Sequence, residues 1–461
     1  MPLVTLLKTL NPSRLKTFLL IISFLLILYL LFHRHAPLSH LRSASQSPLT
    51  RRHLLFAIAS SSRSWPRRKS YVRLWYSPNS TRALAFLDRV APDAASDDSV
   101  PPVVVSGDTS KFPYTFRGGL RSAIRVARLV KEVVDRDEKD VRWYVFGDDD
   151  TVFVVDNLVK TLAKYDHERW FYVGSNSESY YQNVKNSFEM AFGGGGFAIS
   201  YSLARVLARV LDSCLVRYAH LYGSDSRIFS CLAELGVGLT HERGFHQVDM
   251  RGNLFGLLSS HPLAPLVSLH HLDAVDPIFP NMSRTLAMGH LFEAVNVDPG
   301  RILQQTVCYD PSNSLTVSVA WGYTVQVFEG NEYLPDLLSP QRTFMPWKRS
   351  ASIDASRYMF KTREYSKDPC KRPVIFFLES VIPDKGGVWS YYTGHMVEEC
   401  DKPNAIKNLT RVTVFSKTLE LDMEQMKAPC RHCCDILPSF NESMVIKLRQ
   451  CGVDELISMH V

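Results

Sequence analysis

The stretch that decides the predicted fold is Trp143-Tyr144-Val145-Phe146-Gly147-Asp148-Asp149-Asp150-Thr151-Val152-Phe153. An apolar, aromatic strand ends in three consecutive carboxylates, and the chain then turns apolar again. Three adjacent anions repel one another and resist burial, so the folded chain needs a cation or solvent beside them. Carboxylate oxygens at the end of a strand suit Mg²⁺ or Mn²⁺, and those metals in turn suit phosphate. The pattern indicates a metal–diphosphate site, with a solvated acidic turn as the alternative.

The net charge of +7 on the 461 residues is unevenly distributed. Residues 1–87 contain 13 Lys or Arg and neither Asp nor Glu, whereas the remaining chain has 40 basic and 46 acidic residues. The excess positive charge therefore belongs to the amino-terminal segment. The rest of the chain lacks the composition of a nucleic-acid-binding protein, and we expect no nucleic-acid partner.

The amino-terminal segment contains a run without a charged side chain at residues 17–32. A helix of this length covers about 24 Å, which a thin membrane of the early secretory pathway accommodates. A cleaved signal peptide is the alternative, but His33-Arg34-His35 follows the run in place of a small-residue cleavage site. We predict a cytosolic tail at residues 1–16, a signal-anchor transmembrane helix at 17–32 and a stem at 33–52. The remaining chain would then lie in the lumen.

Two further features are typical of the secretory pathway. Acceptor sequons for N-glycosylation begin at Asn79, Asn281, Asn408 and Asn441. Nine Cys, seven of them after residue 300, suit disulfides in an oxidising compartment. A zinc site is the alternative for one cluster near the carboxyl terminus, formed by Cys430, His432, Cys433 and Cys434. The second ligand pair that such zinc sites need is missing.

Strands and helices alternate along the first part of the chain. The patterns predict strands at 54–59, 103–105 and 170–173, besides the acidic strand. They also predict a helix with its apolar face at residues 126–134, and a second helix capped by Asp156 or Asn157. Such alternation indicates an α/β sandwich with a largely parallel sheet, in which ligands bind at the carboxyl ends of the strands.

Three further sites have a structural and a functional interpretation. Four glycines at residues 193–196 indicate either a flexible hinge or a backbone wall beside a ligand. Ser224 or Asp225 opens a helix, where an N-cap is favoured and a general base is the alternative. His270 and His271 lie in an apolar strand, as satisfied core residues or as metal ligands.

With these sites in order, the chain resembles the Fringe-like branch of glycosyltransferase family 31, and within it a plant group formerly described as a domain of unknown function. The resemblance runs from about Leu54 to Pro280 and rests on residues 142–151, 192–200 and 270–273, with residues 117–127 similar to the family's preceding helix. It implies a GT-A (Rossmann-like) α/β domain at residues 53–299. It also implies a Golgi enzyme that transfers a sugar from a UDP-sugar to a glycan acceptor with inversion, usually forming a β1,3 linkage, with Mn²⁺ or Mg²⁺.

The resemblance implies roles for single residues on the donor side. Asp148 and Asp150 match the family's Asp-x-Asp, which contacts the ribose and the metal, and Asp149 lies between them. One of the two histidines matches the metal-coordinating His; His271 is favoured over His270 because it immediately precedes Leu-Asp.

Other implied roles concern the acceptor side and a crosslink. Asp225 matches the catalytic base, although the flanking Ser224 and Ser226 depart from the family's pattern. Gly194 and Gly195 would line the sugar and acceptor pocket. The resemblance further implies a disulfide that joins Cys231 to Cys214.

The resemblance does not cover residues 300–461 well. Alternating patterns at 315–321 and 323–328, and an apolar run at 373–378, predict a strand-rich, Cys-containing accessory region. The oligomeric state stays open.

Two other functions compete with the transferase. One is a non-catalytic carbohydrate-binding or scaffold protein of the same fold. The other is a metal-dependent phosphohydrolase, which is disfavoured because Asp148-Asp149-Asp150-Thr151 lacks the Asp-x-Asp-x-Thr spacing of that chemistry.

Overall fold

A computed structural model describes residues 12–35, 47–90, 97–348, 353–395, 400, 404–438 and 442–459. The chain divides into two compact units, Met1–Pro48 and Leu49–Val461. In the first unit, helix α1 spans Pro12–His35. Within the described ranges no helix is both long and apolar enough to cross a membrane, and the signal-anchor span predicted at residues 17–32 is not confirmed. The predicted tail at 1–16, the stem at 33–52 and the Asn441 sequon lie wholly or largely outside the described residues.

The second unit begins with short strands that alternate with helices. Its first strands are β1 Leu54–Ala59, β2 Arg82–Leu87, β3 Val103–Val105, β4 Trp143–Asp148, β5 Val152–Phe153, β6 Tyr172–Gly174, β7 Phe197–Ser200, β8 Leu239–His241, β9 Phe245–His246, β10 Met250–Gly252 and β11 Ser268–Leu269. The helices among and after them are α2 Trp65–Arg73, α3 Ser122–Val134, α4 Val155–Leu162, α5 Tyr180–Lys185, α6 Tyr201–Arg217, α7 Ser224–Glu234, α8 Phe255–Ser259 and α9 Arg284–Val297.

A seven-stranded sheet organises this part of the chain, in the order β3-β2-β1-β4-β7-β6-β8. β1 pairs in parallel with β2 and β4, and β7 is antiparallel to its two neighbours. Side chains alternate between two apolar cores: Phe56 faces one, whereas Leu55 faces the other, together with the predicted apolar stripe of α3. The predicted α/β fold with a Rossmann-like sheet is confirmed, and β4 delivers Asp148 to the carboxyl edge of the sheet.

One predicted helix cap is wrong. Helix α4 begins at Val155 with Val154 as its N-cap, so neither Asp156 nor Asn157 caps it. The Asn157 side chain is buried and donates instead to the backbone carbonyls of Leu266 and Pro299. The buried amide thereby satisfies two backbone carbonyls of the core.

The carboxyl-terminal part is rich in strands, as predicted. They are β12 Gln305–Asp310, β13 Leu315–Ala320, β14 Thr324–Glu329, β15 Phe344–Pro346, β16 Val374–Asp384, β17 Gly387–His395, β18 Arg411–Ser416, β19 Cys433–Leu437 and β20 Ser443–Arg449. Short helices accompany them, namely α10 Leu334–Leu337, α11 Asn404–Lys407 and α12 Met423–Lys427. Eight of these strands form one sheet in the order β12-β13-β14-β16-β17-β18-β20-β19. The boundary predicted between residues 299 and 300 stays a prediction.

Four disulfides brace the second unit. They join Cys214 to Cys231, Cys308 to Cys434, Cys370 to Cys400, and Cys433 to Cys451. The implied Cys214–Cys231 pair is confirmed. The zinc alternative is wrong, because Cys433 and Cys434 are both consumed by disulfides, which leaves the exposed thiol of Cys430.

Candidate active site

The acidic turn after β4 is held rigidly by one threonine. The Thr151 hydroxyl accepts the backbone N–H of Asp148 at 2.7 Å and donates to the carbonyl of Gly194 at 2.7 Å. From the other side, the Trp75 indole donates to the carbonyl of Thr151 at 3.1 Å. The turn is therefore tied both to the core and to the glycine run.

A small sheet brings a histidine to this turn. β11 pairs antiparallel with β5 and parallel with β9, so residue 270 leaves the sheet beside the acidic turn. The His270 Nε2 atom lies 3.2 Å from Oδ1 of Asp150 and 3.7 Å from Oδ2 of Asp148. One ligand atom from each of the three residues lies within 4.8 Å of the other two. We call these three residues the metal cluster.

The chemistry of the metal cluster fits a divalent cation. Asp150 is 1% exposed, yet neither of its carboxylate oxygens makes a hydrogen bond of good geometry. Burial opposes its ionisation, but His270 and Arg68 outweigh burial and hold the pKa of Asp150 at about 2. Burial and the nearby Asp150 and Asp225 carboxylates raise the pKa of Asp148, although His270 opposes them. A divalent cation would bind the Asp150 oxygens and relieve the repulsion between the carboxylates. Two carboxylates suit Mn²⁺ or Mg²⁺, and the imidazole favours Mn²⁺ of the two.

Asp149 lies apart from the metal cluster. Its buried carboxylate accepts from the Ser60 hydroxyl at 2.7 Å and from Nη1 of Arg68 at 3.2 Å. Arg68 also lies 3.3 Å from Asp150 and donates from Nε to Asp273 at 2.9 Å. This arginine of α2 thus stabilises three carboxylates at once, a role that its position in a basic segment did not signal.

The glycine run forms a backbone wall. A Cβ at Gly194 would overlap the His270 ring, and a Cβ at Gly193 would lie 2.6 Å from Oδ1 of Asp225. The Gly195 N–H donates to Oε1 of Gln247 at 2.6 Å, which fixes the run against β9. Side chains at these positions would displace both the proposed metal ligand and the proposed base, so the glycine run is packed against the site. That the run lines a bound ligand stays a prediction.

Asp225 is free of the capping role that its position favoured. Gly223 is the N-cap of α7, and no side chain caps the helix, so Asp225 lies in the first turn with Ser224 donating to it at 3.1 Å. Burial raises the pKa of Asp225, opposed by hydrogen bonds from Gly193 and Ser224. The carboxylate lines a cavity of about 350 Å³, which we call the Asp225 cavity.

The two histidines face different parts of the site. His271 has a left-handed backbone (φ 54°), which turns its ring away from the metal cluster. It lines the Asp225 cavity, with Nδ1 3.3 Å from Oδ1 of Asp249 and its ring 4.2 Å from that of Trp347. The structure therefore brings His270, and not the favoured His271, to Asp148 and Asp150.

The carboxyl-terminal region contributes directly to the Asp225 cavity. β15 pairs with β10, and the chain then places Trp347 on His271, with the Arg251 guanidinium 4.4 Å from the centroid of the indole ring. Lys348 lines the same cavity. Nothing in the local sequence distinguished Trp347 or Lys348, because their role depends on a strand pairing across about 100 residues.

A buried chain of three side chains supports the segment that carries Gln247 and Asp249. His246 lies between Glu178 (Nδ1 to Oε1, 3.0 Å) and His261 (Nε2 to Nε2, 2.9 Å). The His261 Nδ1 donates to the Pro262 carbonyl at 2.8 Å, so its Nε2 must accept from His246. A further proton must then lie between His246 and Glu178. The other oxygen of Glu178 accepts the Val248 N–H at 2.9 Å, which anchors the segment.

Two curated relatives match part of the chain. It is 27% identical over 153 residues to Beta-1,3-glucosyltransferase of Homo sapiens, a match that covers 33% of this chain and 28% of that protein. It is 28% identical over 137 residues to Beta-1,3-glucosyltransferase of Mus musculus, covering 30% and 26%. The chain thus spans little more than a quarter of the length of these relatives. They support homology to glycosyltransferases without distinguishing the Fringe-like branch.

A family model covers more of the chain than these relatives do. Among solved structures, the apo form of mouse Xyloside xylosyltransferase 1 aligns with a TM-score of 0.25 and 9% identity, over 39% of this chain and 80% of that one, which is too weak to bear on function. The model described as "Protein of unknown function, DUF604" matches residues 182–434, from within α5 to the start of β19. Because that match covers more than half of the chain, the protein belongs to the DUF604 family.

Proposed function

We propose that this protein is an inverting, metal-dependent glycosyltransferase that moves a sugar from a UDP-sugar to a glycan acceptor. The observation that carries the proposal is the placement of Asp225. Its carboxylate is uncapped and lines a cavity, and the glycine run joins it to the metal cluster, because Gly193 lies against Asp225 and Gly194 lies against His270. One chain thus offers a base and a cation site with a shaped backbone between them.

The proposed donor side is the metal cluster. Asp148, Asp150 and His270 would hold the cation, which when bound neutralises a diphosphate leaving group. Asp149 would stay with Ser60 and Arg68, where it fixes the turn and contributes to the donor site from the β1 side. Gly194 and Gly195 would let His270 and the Gln247 segment pack closely beside the donor site.

The proposed acceptor side is the Asp225 cavity. Asp225 would accept the proton of the acceptor hydroxyl as that oxygen attacks the anomeric carbon. Attack on the face opposite the leaving diphosphate inverts the configuration, and the β1,3 linkage follows the resemblance. The raised pKa of Asp225 makes its carboxylate a stronger base than an exposed aspartate.

The deciding experiment replaces the base alone. Asp225→Asn should abolish transfer while UDP binding in Mn²⁺ persists. Glu234→Gln is the matched control, since it lies at the other end of the same helix in a surface ion pair with Arg217. Transfer at the normal rate by Asp225→Asn would overturn the assignment of the base.

The donor is open to direct screening. A panel of UDP-sugars, each with Mn²⁺ or with EDTA, should contain one that raises the unfolding temperature only with metal, because a ligand that binds the folded state stabilises it. Binding of a UDP-sugar without hydrolysis or transfer would identify instead a non-catalytic, sugar-binding relative.

We also propose that the protein works in the Golgi lumen. The four disulfides support an oxidising compartment, although they do not distinguish the Golgi from other parts of the secretory pathway. A fluorescent fusion that co-localises with a cytosolic marker would contradict the proposal.

A further inference from the structure

Two lysines from distant parts of the chain meet at the Asp225 cavity. Lys185 is the last residue of α5, and Lys348 follows β15; both are exposed and line the cavity. Their segments are tied together by the backbone, because Tyr180 donates its N–H to the carbonyl of Arg357 at 3.1 Å. Both lysines therefore lie at the edge of one cavity.

Aromatic rings position both ammonium groups. The Lys185 Nζ lies 5.3 Å from the centroid of the Tyr222 ring, and the Lys348 Nζ lies 4.9 Å from that of Tyr181. Lys348 also donates to the Tyr181 hydroxyl at 3.0 Å. That hydrogen bond lowers the pKa of Tyr181, and the charge of Lys185 adds to the effect, so both lysines act on the same tyrosine. Cation–π contacts place the charges without neutralising them.

Across the ranges that the structure describes, neither ammonium forms an ion pair with a carboxylate. The acidic groups of the cavity lie elsewhere and have their own partners. Asp249 accepts from Ser177 and faces His271, and Asp225 accepts from Ser224. The cavity is consequently acidic beside Asp225 and Asp249, where the acceptor hydroxyl would lose its proton. It is basic at its edge, beside Lys185 and Lys348.

We propose that Lys185 and Lys348 form an anion-binding subsite for the acceptor, which would be an acidic glycan bearing a carboxylate or a sulfate. The inference rests on the proposed function, since it takes Asp225 as the base that faces the acceptor hydroxyl. The same two charges could in principle meet the diphosphate of the donor. The acceptor is favoured because the donor diphosphate already has a cation site in the metal cluster.

The test compares wild type with a Lys185→Gln/Lys348→Gln double variant. Binding of each protein is measured on an array of uronic-acid and sulfated oligosaccharides. The array also contains their carboxyl-reduced or desulfated counterparts. We expect wild type to bind the acidic glycans more tightly than the neutral ones, and added salt to reduce this preference. The double variant should lose about tenfold in affinity for the acidic glycans only. Lys361→Gln, an exposed lysine paired with Asp336 outside the cavity, should behave like wild type.

A second arm measures UDP binding in Mn²⁺ by the same proteins. Unchanged UDP affinity in the double variant supports an acceptor subsite, whereas a tenfold loss of UDP affinity with acidic-glycan binding intact would overturn it. Equal binding of acidic and neutral glycans by wild type would also overturn it. If Asp225→Asn still transfers sugar while the lysines still select acidic glycans, the proposed base fails and the subsite stands.

Discussion

The Nε2 atom of His270 lies 3.2 Å from Oδ1 of Asp150, across the pairing of β11 with β5. The adjacent His271 faces Asp249 and Trp347 instead. Two neighbouring histidines are thus divided between the metal cluster and the Asp225 cavity. This division can be tested, because each histidine is the matched control for the other.

His270→Ala should weaken Mn²⁺ binding at least tenfold, since it removes one of three ligand groups and leaves two carboxylates to repel each other. His271→Ala should leave Mn²⁺ affinity within about threefold of wild type and reduce acceptor turnover instead, because that ring lines the cavity. Calorimetric titration with Mn²⁺ in the presence of UDP distinguishes the two. The reverse order of effects would assign the ligand to His271.

Gly194→Ala should lose Mn²⁺ binding, because the new methyl group must displace the His270 ring. Overpacking of this kind costs about 1–3 kcal/mol, so the variant should still fold. Gly238→Ala is the control, since a Cβ there meets nothing within 4 Å. Urea unfolding reports stability, and the same titration reports the metal. Wild-type Mn²⁺ affinity in Gly194→Ala would show that the wall is not close to the cation.

Glu178→Ala should lower the free energy of unfolding by about 2–3 kcal/mol, because it leaves the buried His246 ring and the Val248 N–H without their partners. Activity should fall as well, since Gln247 and Asp249 lie on the segment that Glu178 anchors. Glu189→Ala offers the comparison, as the exposed Glu189 makes a loose contact with His241. A stability equal to wild type in Glu178→Ala would show that Glu178 does not anchor this segment.

As the pH is lowered, the rate of transfer should begin to fall at a higher pH than it would if the base were an exposed aspartate. Burial raises the pKa of Asp225, and the base must be ionised, so acidification protonates it early. The acid limb of the kcat profile should therefore be centred above about 4, the ordinary value for Asp. An acid limb centred at or below that value would contradict the assignment of a buried Asp225 as the base. Asp225→Glu should shift the midpoint of the acid limb while the limb itself persists.

Local patterns were sufficient for the central strand β4, for the α/β class and for part of the site, but not for β2, β8 or the antiparallel direction of β7. The acidic strand is recognisable because its apolar residues and its three Asp are contiguous, and the α3 stripe is regular. Sequence patterns could not predict which of His270 and His271 faces the metal cluster. The left-handed backbone of His271 and the pairing of β5 with β11 decide it. The capping role expected at the start of α7 was wrong for a similar reason: Gly223 takes the extended cap position and leaves Asp225 to the cavity.

The pairing of β10 with β15 also implies a division of labour along the chain. All three members of the metal cluster precede residue 271, whereas Trp347 and Lys348 come from a segment that the first sheet does not need. Substitutions in residues 344–348 can consequently reshape one wall of the cavity while the cation site stays intact. Under the proposed function, acceptor preference can therefore differ among family members while donor chemistry stays the same. We expect such differences to lie in residues 344–348.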